Sequence, residues 1–224
     1  MPVDPNAAVR ITAFNWVPDF ARGQVRDLRV RWALEEAGIP YAVRKLDATH
    51  ERPADYFAEQ PWGQVPSYRD GDVQLFESGA IVLHIGRKSD VLLPRDPDER
   101  DRATSWLIAA LNSVEPAVMQ MALVDIFWAK EPFAKDLRPK VVEMAERRLD
   151  RLADWLGDNE WLEDRFTAGD LLMVSVLRGL DHTDLVARRP NLGAYKARGE
   201  ARPAFQAALA AQLADFEEKQ PATV

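Results

Sequence analysis

The stretch QVPSYRDGDVQLFESGAI, residues 64–81, contains two short strand-like runs on either side of Asp70-Gly71. Asp-Gly between two such runs is a strong signal for a β-hairpin. A proline enters the first run, and the pair Glu77-Ser78 follows the second. Because neither choice favours stability alone, the pattern predicts that a ligand is held between the two ends of the hairpin.

Strand and helix patterns precede this hairpin. The runs VRITAF and YAVRKLD predict strands, and the apolar spacing from Val25 to Leu34 predicts a helix between them. Two strands joined through a helix indicate a parallel pair, whereas the hairpin adds antiparallel edges. The sequence therefore predicts a mixed α/β domain with a four-stranded sheet over residues 9–88.

The pattern changes after the polar, proline-containing link RKSDVLLPRDPDER. Helical periodicity then dominates four segments: 99–121, 134–156, 170–180 and 204–217. Thr167 and Asp170 form a capping box before an apolar run, which indicates a structural role. We expect an all-helical domain over residues 98–218.

Composition excludes several classes of protein. The 224 residues include no cysteine, so disulfides, cysteine-ligated metals and cysteine nucleophiles are excluded. The net charge of -7 comes from interleaved signs without a basic stripe, which argues against nucleic-acid binding. No signal peptide is evident, and no apolar run approaches the ~18 residues of a membrane span. The sequence predicts a cytoplasmic protein with no metal site and no membrane partner.

Two local features could bind a small peptide. An X-Pro bond entering a strand favours a cis peptide, which would turn the Val65 backbone outward toward an extended ligand. Ser78 fits a helix N-cap, where free N–H groups attract an anion, and Glu77 beside it could pair with an ammonium group. The alternatives are a plain strand-starting Pro66 and a plain capped helix. Together, the two features fit a peptide with a free amino-acid end.

The segment QPWGQVPSYRDGDVQLFESGAI resembles the glutathione-binding segment of cytosolic glutathione transferases, and VRWALEEAGIPYAVRKLD resembles their first helix and second strand. WLIAALNSVEP, FTAGDLLMVSVL and RPAFQAAL are similar to parts of their helical domain. The chain is identified as a bacterial member of undetermined class. The resemblance implies a thioredoxin-like α/β domain followed by an all-α domain, a homodimer, and glutathione as co-substrate.

The resemblance also implies roles for single residues. The backbone of Val65, with a cis Pro66, would pair with the cysteinyl part of glutathione. Glu77 and Ser78 would hold the γ-glutamyl end.

Other positions carry weaker implications. Gln64 and His50 would lie near the glycyl carboxylate, although His50 could equally be a solvent-exposed loop residue. Three residues of the helical domain, Trp106, Met119 and Trp128, would wall the pocket for a hydrophobic electrophile, with core packing as the alternative for each.

The residue that would activate the thiol departs from the family pattern. Relatives place a Tyr, Ser or Cys near the first helix, but residues 14–40 contain no hydroxyl or thiol side chain. Gln24 occupies the usual position, and Arg22 is close to it in sequence. The thiolate could be stabilised by the N-terminal amides of a helix that begins near Gln24, together with Gln24 or Arg22, or by a donor from Asn15 or Trp16.

The resulting prediction is a glutathione S-transferase that conjugates the thiolate to a hydrophobic electrophile, in a detoxification role. The alternative is a non-catalytic protein of the same fold that binds a ligand or another protein.

Overall fold

The computed structural model describes residues 2–217 of the chain. The residues divide into two compact units by packing. One unit contains the described residues of Met1–Leu92 and of Arg202–Val224, and the other contains Leu93–Ala201. The domain bounds 9–88 and 98–218 stay a prediction, although the sequence interpretation placed the last helix in the second domain and that helix packs in the first unit.

The first unit is built on a four-stranded sheet. Its strands are β1 (Val9–Phe14), β2 (Tyr41–Leu46), β3 (Ser67–Asp70) and β4 (Val73–Phe76). They lie in the order β2-β1-β3-β4, with β2 parallel to β1 and with β3 antiparallel to both β1 and β4. The mixed sheet predicted from the sequence is therefore confirmed.

Three α-helices complete this unit: α1 (Asp27–Ala37), α2 (Ser78–Gly86) and α8 (Pro203–Asp215). A short 3₁₀ turn, Ala54–Ala58, lies between β2 and β3. Helix α8 packs along α1, where the rings of Trp32 and Phe205 meet edge to face at 4.9 Å. Both rings are fully buried, so the C-terminal helix forms part of the core of this unit.

The second unit is all-helical, as the sequence predicts. Its helices are α3 (Pro97–Ala109), α4 (Glu115–Ala122), α5 (Ala134–Leu156), α6 (Ala168–Leu177) and α7 (Pro190–Glu200).

Helix α4, which contains Pro116, is flanked on both sides by irregular helical turns. Two π-helical segments, Ala110–Val114 and Leu123–Phe127, flank α4. Pro116 has no N–H group, and its ring would clash with the carbonyl one turn earlier, so the widened turn before it relieves that clash.

Helix α6 forms the centre of the second unit. Thr167 caps it, with both halves of the capping box present, and Asp170 accepts hydrogen bonds from the N–H of Leu162 and the hydroxyl of Tyr195, each at 3.0 Å. All four residues are buried. The structural role predicted for this box is confirmed.

One span, Pro97–Phe127, is long and apolar enough to cross a membrane by length and composition alone. The core helix of a water-soluble protein meets the same criteria, and 44% of the most apolar window is buried here. The prediction that no run approaches this length is wrong on that criterion. Asn112, Ser113 and Gln120 interrupt the apolar run, but they are uncharged, so the mean hydropathy of the window stays high.

Candidate functional site

The Val65–Pro66 peptide bond at the entrance to β3 is cis, as predicted. Val65 is buried against Leu46 and Tyr56, and the Tyr56 hydroxyl donates to the Gln64 carbonyl at 2.7 Å. No hydrogen bond of the Val65 backbone is found within residues 2–217. An extended ligand that reached this position could pair with the N–H and C=O of Val65, as in strand addition.

The same apolar cluster connects three segments of the chain. Phe14, at the end of β1, and Val25, just before α1, pack against Val65, Leu46 and Tyr56. The end of β1, the approach to α1 and the start of β3 consequently meet at one place. A ligand that paired with Val65 would therefore lie beside Val25, which follows Gln24 in the sequence.

The buried hydroxyl of Thr12 connects β1 to Tyr56 and to the start of β3 through hydrogen bonds. Thr12 Oγ1 lies 2.8 Å from the Tyr56 hydroxyl and accepts a hydrogen bond of 2.7 Å from the backbone N–H of Ser67. The sequence analysis missed Thr12 and Tyr56. Their roles depend on contacts across 44 residues of sequence, which no local pattern shows.

Glu77 has an unusual backbone conformation at the other end of the hairpin. Its φ of 66° and ψ of 115° make it the only non-glycine residue with positive φ in the described chain. The side chain is exposed and has no partner among the described residues. Such strain, of order 1–3 kcal/mol, persists at sites where function requires it.

Ser78 is the first residue of α2, and Glu77 is the N-cap. The prediction that Ser78 caps this helix is therefore wrong, because the turn at Glu77 places the helix start one residue earlier. Ser78 is buried, and its Oγ accepts a hydrogen bond of 3.4 Å from Arg29 Nη1. No side chain caps the N-terminus of α2, which leaves its first N–H groups and positive dipole end to an anion.

His50 is held by its neighbours in the loop after β2. Its Nδ1 lies 2.8 Å from Oδ2 of Asp47, and its Nε2 is buried without a partner among the described residues. Hydrogen bonds from Thr49 lower the pKa of Asp47 to about 2, so this carboxylate stays charged. Gln64, the other residue predicted near the glycyl carboxylate, is exposed.

Arg52 lies in the same loop as His50, and the sequence analysis did not single it out. It donates to the carbonyls of Asp47, His50 (2.9 Å) and Gly63 (3.1 Å), and its guanidinium lies 4.8 Å from the centre of the Phe14 ring. These contacts place a positive charge beside the loop that leads into Gln64. The polar run HER in the sequence contains this residue but gives no indication of its orientation.

The approach to α1 differs from the helix predicted to begin near Gln24. Helix α1 begins at Asp27, and the Gln24 N–H instead closes a turn to the Ala21 carbonyl at 3.0 Å. Gly23 has a φ of 74°, which interrupts helical geometry before Gln24. The prediction of a helix start near Gln24 is therefore wrong, and the Gln24 side chain is exposed on the preceding turn.

Arg22 is bound by the end of the chain. Its Nη2 donates to the Glu217 carbonyl at 3.0 Å, and its guanidinium lies 5.7 Å from the centre of the Phe216 ring. Asp19 lies 3.5 Å from its Nε. Arg22 thus has a defined position in the loop before α1.

The three predicted pocket residues of the second unit have separate surroundings. Trp106 donates through Nε1 to Glu163 at 2.9 Å, and its ring lies 5.2 Å from that of Trp155. Met119 and Trp128 are each 37% exposed, so core packing does not account for them. Their role in binding an electrophile stays a prediction.

A cavity of about 600 Å³ in this unit contains none of these three residues. Its lining comes from residues 112–120 and 144–154 and is largely polar, with Arg147, Arg148 and Arg151 among its side chains. A cavity of this character does not match the predicted hydrophobic pocket. Among residues 2–217, no cluster of three or more His, Asp or Glu side chains could hold a metal ion.

Comparisons with known proteins agree with this geometry. Residues 20–87 match the family model described as the glutathione S-transferase, N-terminal domain. A probable glutathione S-transferase of Oryza sativa subsp. japonica is 33% identical over 181 residues, which cover 69% of this chain and 84% of that protein. Glutathione S-transferase 3 of Zea mays is 32% identical over 200 residues, covering 82% and 88%.

Solved structures give the same result. A glutathione transferase from Burkholderia graminis, crystallised with two glutathione molecules per subunit, has 25% identity and a TM-score of 0.78, covering 90% of this chain and 87% of that one. Glutathione transferase F2 from Populus trichocarpa has 23% identity and a TM-score of 0.79, covering 92% and 99%, which shows a shared fold. The chain therefore belongs to the glutathione S-transferase family.

Proposed function

We propose that this protein is a glutathione S-transferase that joins the glutathione sulfur to a hydrophobic electrophile. The observation that carries the proposal is the exposed Glu77 carboxylate, held at positive φ beside the uncapped first turn of α2. A carboxylate next to an anion-attracting helix end matches the ammonium and carboxylate of an α-amino acid.

The proposed contacts to the rest of glutathione follow when the tripeptide extends from its γ-glutamyl end toward Val65 and Gln64. Glu77 accepts from the γ-glutamyl ammonium, while the first N–H groups of α2 and Ser78 donate to the γ-glutamyl carboxylate. The free N–H and C=O of Val65 pair with the cysteinyl residue. Gln64, with the charge of Arg52 beside it, faces the glycyl carboxylate, and His50 belongs to the same loop.

The thiol end lies near Val25, which packs against Val65. A free thiol has a pKa of about 8.5, and the thiolate is the reactive form. Arg22 lowers the thiol pKa through its positive charge, and Gln24 contributes an amide donor. The thiolate then attacks the electrophilic carbon, a C–S bond forms, and either a leaving group departs or a π bond accepts the electron pair.

The second substrate and the assembly belong to the same proposal. Trp106, Met119 and Trp128 contact the hydrophobic electrophile, the protein works as a cytoplasmic homodimer, and detoxification is its role. The named activity of the relatives and the glutathione bound in the Burkholderia protein support the transferase activity and glutathione as its co-substrate.

Titration of the bound thiol tests the proposal. Ultraviolet absorbance of the thiolate against pH should show a pKa for bound glutathione at least ~1 unit below that of the free thiol, a difference of about 1.4 kcal/mol. Arg22→Ala and Gln24→Ala should raise this pKa and lower turnover of a chlorinated nitrobenzene. Binding measured by calorimetry should persist, since neither residue contacts the head group.

A second function is favoured by one observation. Residues 14–40 contain no hydroxyl or thiol side chain, and α1 begins three residues after Gln24. A non-catalytic protein that binds glutathione, another ligand or a protein partner would need no thiol donor. Glutathione that binds but titrates as the free thiol, without turnover, would establish this second function in place of the first.

A further inference from the structure

The C-terminal segment of the chain contacts the loop that leads into α1. We name residues 15–26 the thiol loop and residues 212–217 the strap. Both belong to the first compact unit, and they are separated by almost the whole chain. Four strap residues contact the thiol loop or the first turns of α1, and each uses a different interaction.

Gln212 fixes the C-terminal end of the thiol loop. Its side chain is 1% exposed, and its Nε2 donates to the Val25 carbonyl at 3.1 Å and to Asp27 Oδ1 at 2.7 Å. The two hydrogens of one planar amide thus bind the last turn of the loop and the first residue of α1. This geometry defines where Val25 enters the apolar cluster beside Val65.

Asp215 adds a charge network at the same place, which runs from the buried Arg31 and Asp27 to the exposed Lys45. Arg31, which is fully buried, donates to Asp27 Oδ2 at 2.8 Å and to Asp215 Oδ2 at 2.6 Å. Lys45 also pairs with Asp215 at 3.0 Å. Buried charges are tolerated when they are paired in this way, and removing one partner leaves another charge uncompensated.

Phe216 and Glu217 fix the other end of the loop. The Glu217 N–H donates to the Asn15 carbonyl at 2.7 Å, and the Glu217 carbonyl accepts from Arg22 Nη2 at 3.0 Å. The Phe216 ring lies under the Arg22 guanidinium. The backbone of the strap therefore contacts both the residue that follows β1 and the positive charge proposed to act on the thiol.

We infer that the strap is a positioning element of the thiol site, an inference that rests on the proposed function. The strap determines the path of the thiol loop, because the loop has only short 3₁₀-type turns, among them Asp19–Ala21, before α1 begins at Asp27, and it is bound at both ends by residues of the C-terminus. Gln212, Phe216 and Glu217 act through Arg22 and Val25 and do not contact glutathione themselves.

Two variants test the inference, each with a matched control. A chain ending at Asp215 removes the contacts to Asn15 and Arg22, and its control ends at Glu217. Gln212→Met removes both amide donors at similar volume. Its control, Arg202→Met, removes an ion pair with Glu36 (2.6 Å) at the opposite end of the same α1–α8 contact.

Hydrogen exchange and titration of the bound thiol are the measurements. In both variants, amides of residues 15–26 should exchange faster than in the controls. The pKa of bound glutathione should rise by about one unit, with kcat about tenfold lower and KM for glutathione within ~2-fold. The controls should keep the wild-type pKa, and Arg202→Met should still lower the melting temperature.

Two results would overturn the inference. One is unchanged exchange of residues 15–26 in both variants, and the other is faster exchange with an unchanged pKa and kcat, which would leave the strap a merely structural role. Failure of the proposed function is recognised separately, because the wild-type protein itself would then bind no glutathione or would leave the thiol pKa at its free value.

Discussion

Replacing Glu77 with glycine should make the protein more stable and, at the same time, a weaker binder of glutathione. The φ of 66° is unfavourable for glutamate and is readily adopted by glycine. The substitution also removes the carboxylate proposed to pair with the γ-glutamyl ammonium. Because the side chain is exposed and has no partner in the described chain, its removal costs no packing.

The magnitudes follow from these two effects. Strain at such a residue amounts to about 1–3 kcal/mol, and the greater freedom of unfolded glycine costs about 0.5–1 kcal/mol, so a net gain of about 0.5–2 kcal/mol in the free energy of unfolding is expected. Loss of a hydrogen bond to a charged group costs about 1.5–3 kcal/mol, which weakens glutathione binding by about 10- to 150-fold.

Urea denaturation and calorimetry measure the two quantities on the same samples. Glu77→Gln is the matched control, since it keeps the side-chain size and the strained φ but removes the charge. It should weaken binding without the gain in stability. A Glu77→Gly variant that is less stable than wild type would refute the strain argument, and unchanged glutathione affinity in both variants would refute the head-group assignment.

Three further predictions concern the rest of the site. Ser78→Ala should weaken glutathione binding by about 1 kcal/mol, and because Ser78 does not cap α2, urea denaturation should show a smaller stability loss than the ~1 kcal/mol of a lost N-cap. Arg52→Met should weaken calorimetric binding of glutathione more than that of γ-glutamylcysteine, which lacks the glycyl carboxylate; equal losses would contradict its placement. The lowered pKa of Asp47 contributes stability above its ordinary value of 3.8 that is lost as pH falls toward about 2, so Asp47→Asn should flatten the urea-denaturation profile over that range.

The backbone of the hairpin, where the γ-glutamyl head group is proposed to bind, was largely predictable from sequence. Asp70-Gly71 predicts the hairpin, and Gly71 has the positive φ that such a turn requires. The cis bond before Pro66 and the acid after the second strand follow from adjacent residues in the same 18-residue stretch. Local patterns suffice here because each interaction depends on residues only a few positions apart.

Predictions from local patterns failed at two helix starts, where a single residue with positive φ precedes the helix. The prediction of Ser78 as N-cap used a correct preference for serine, but the φ of Glu77 moves the cap one position earlier. The predicted start of α1 near Gln24 used apolar spacing, whereas the φ of Gly23 delays the helix to Asp27. The sign of φ could not be predicted from the residue type in either case, since glutamate rarely adopts positive φ and glycine adopts either sign.

The thiol end was beyond prediction for a different reason, and that reason bears on which residue acts there. Counting along the family pattern selects Gln24, but counting assumes that the loop follows a standard path, and here Arg22 of the loop donates to Glu217, 195 residues away. The same contact holds the Arg22 charge in place, and a fixed positive charge lowers a thiol pKa more than a neutral amide does. We therefore expect Arg22→Ala to raise the pKa of bound glutathione more than Gln24→Ala does, as measured by thiolate absorbance against pH. A larger rise in the Gln24 variant would show that position in the family pattern, and not the charge held by the C-terminus, determines the thiol donor.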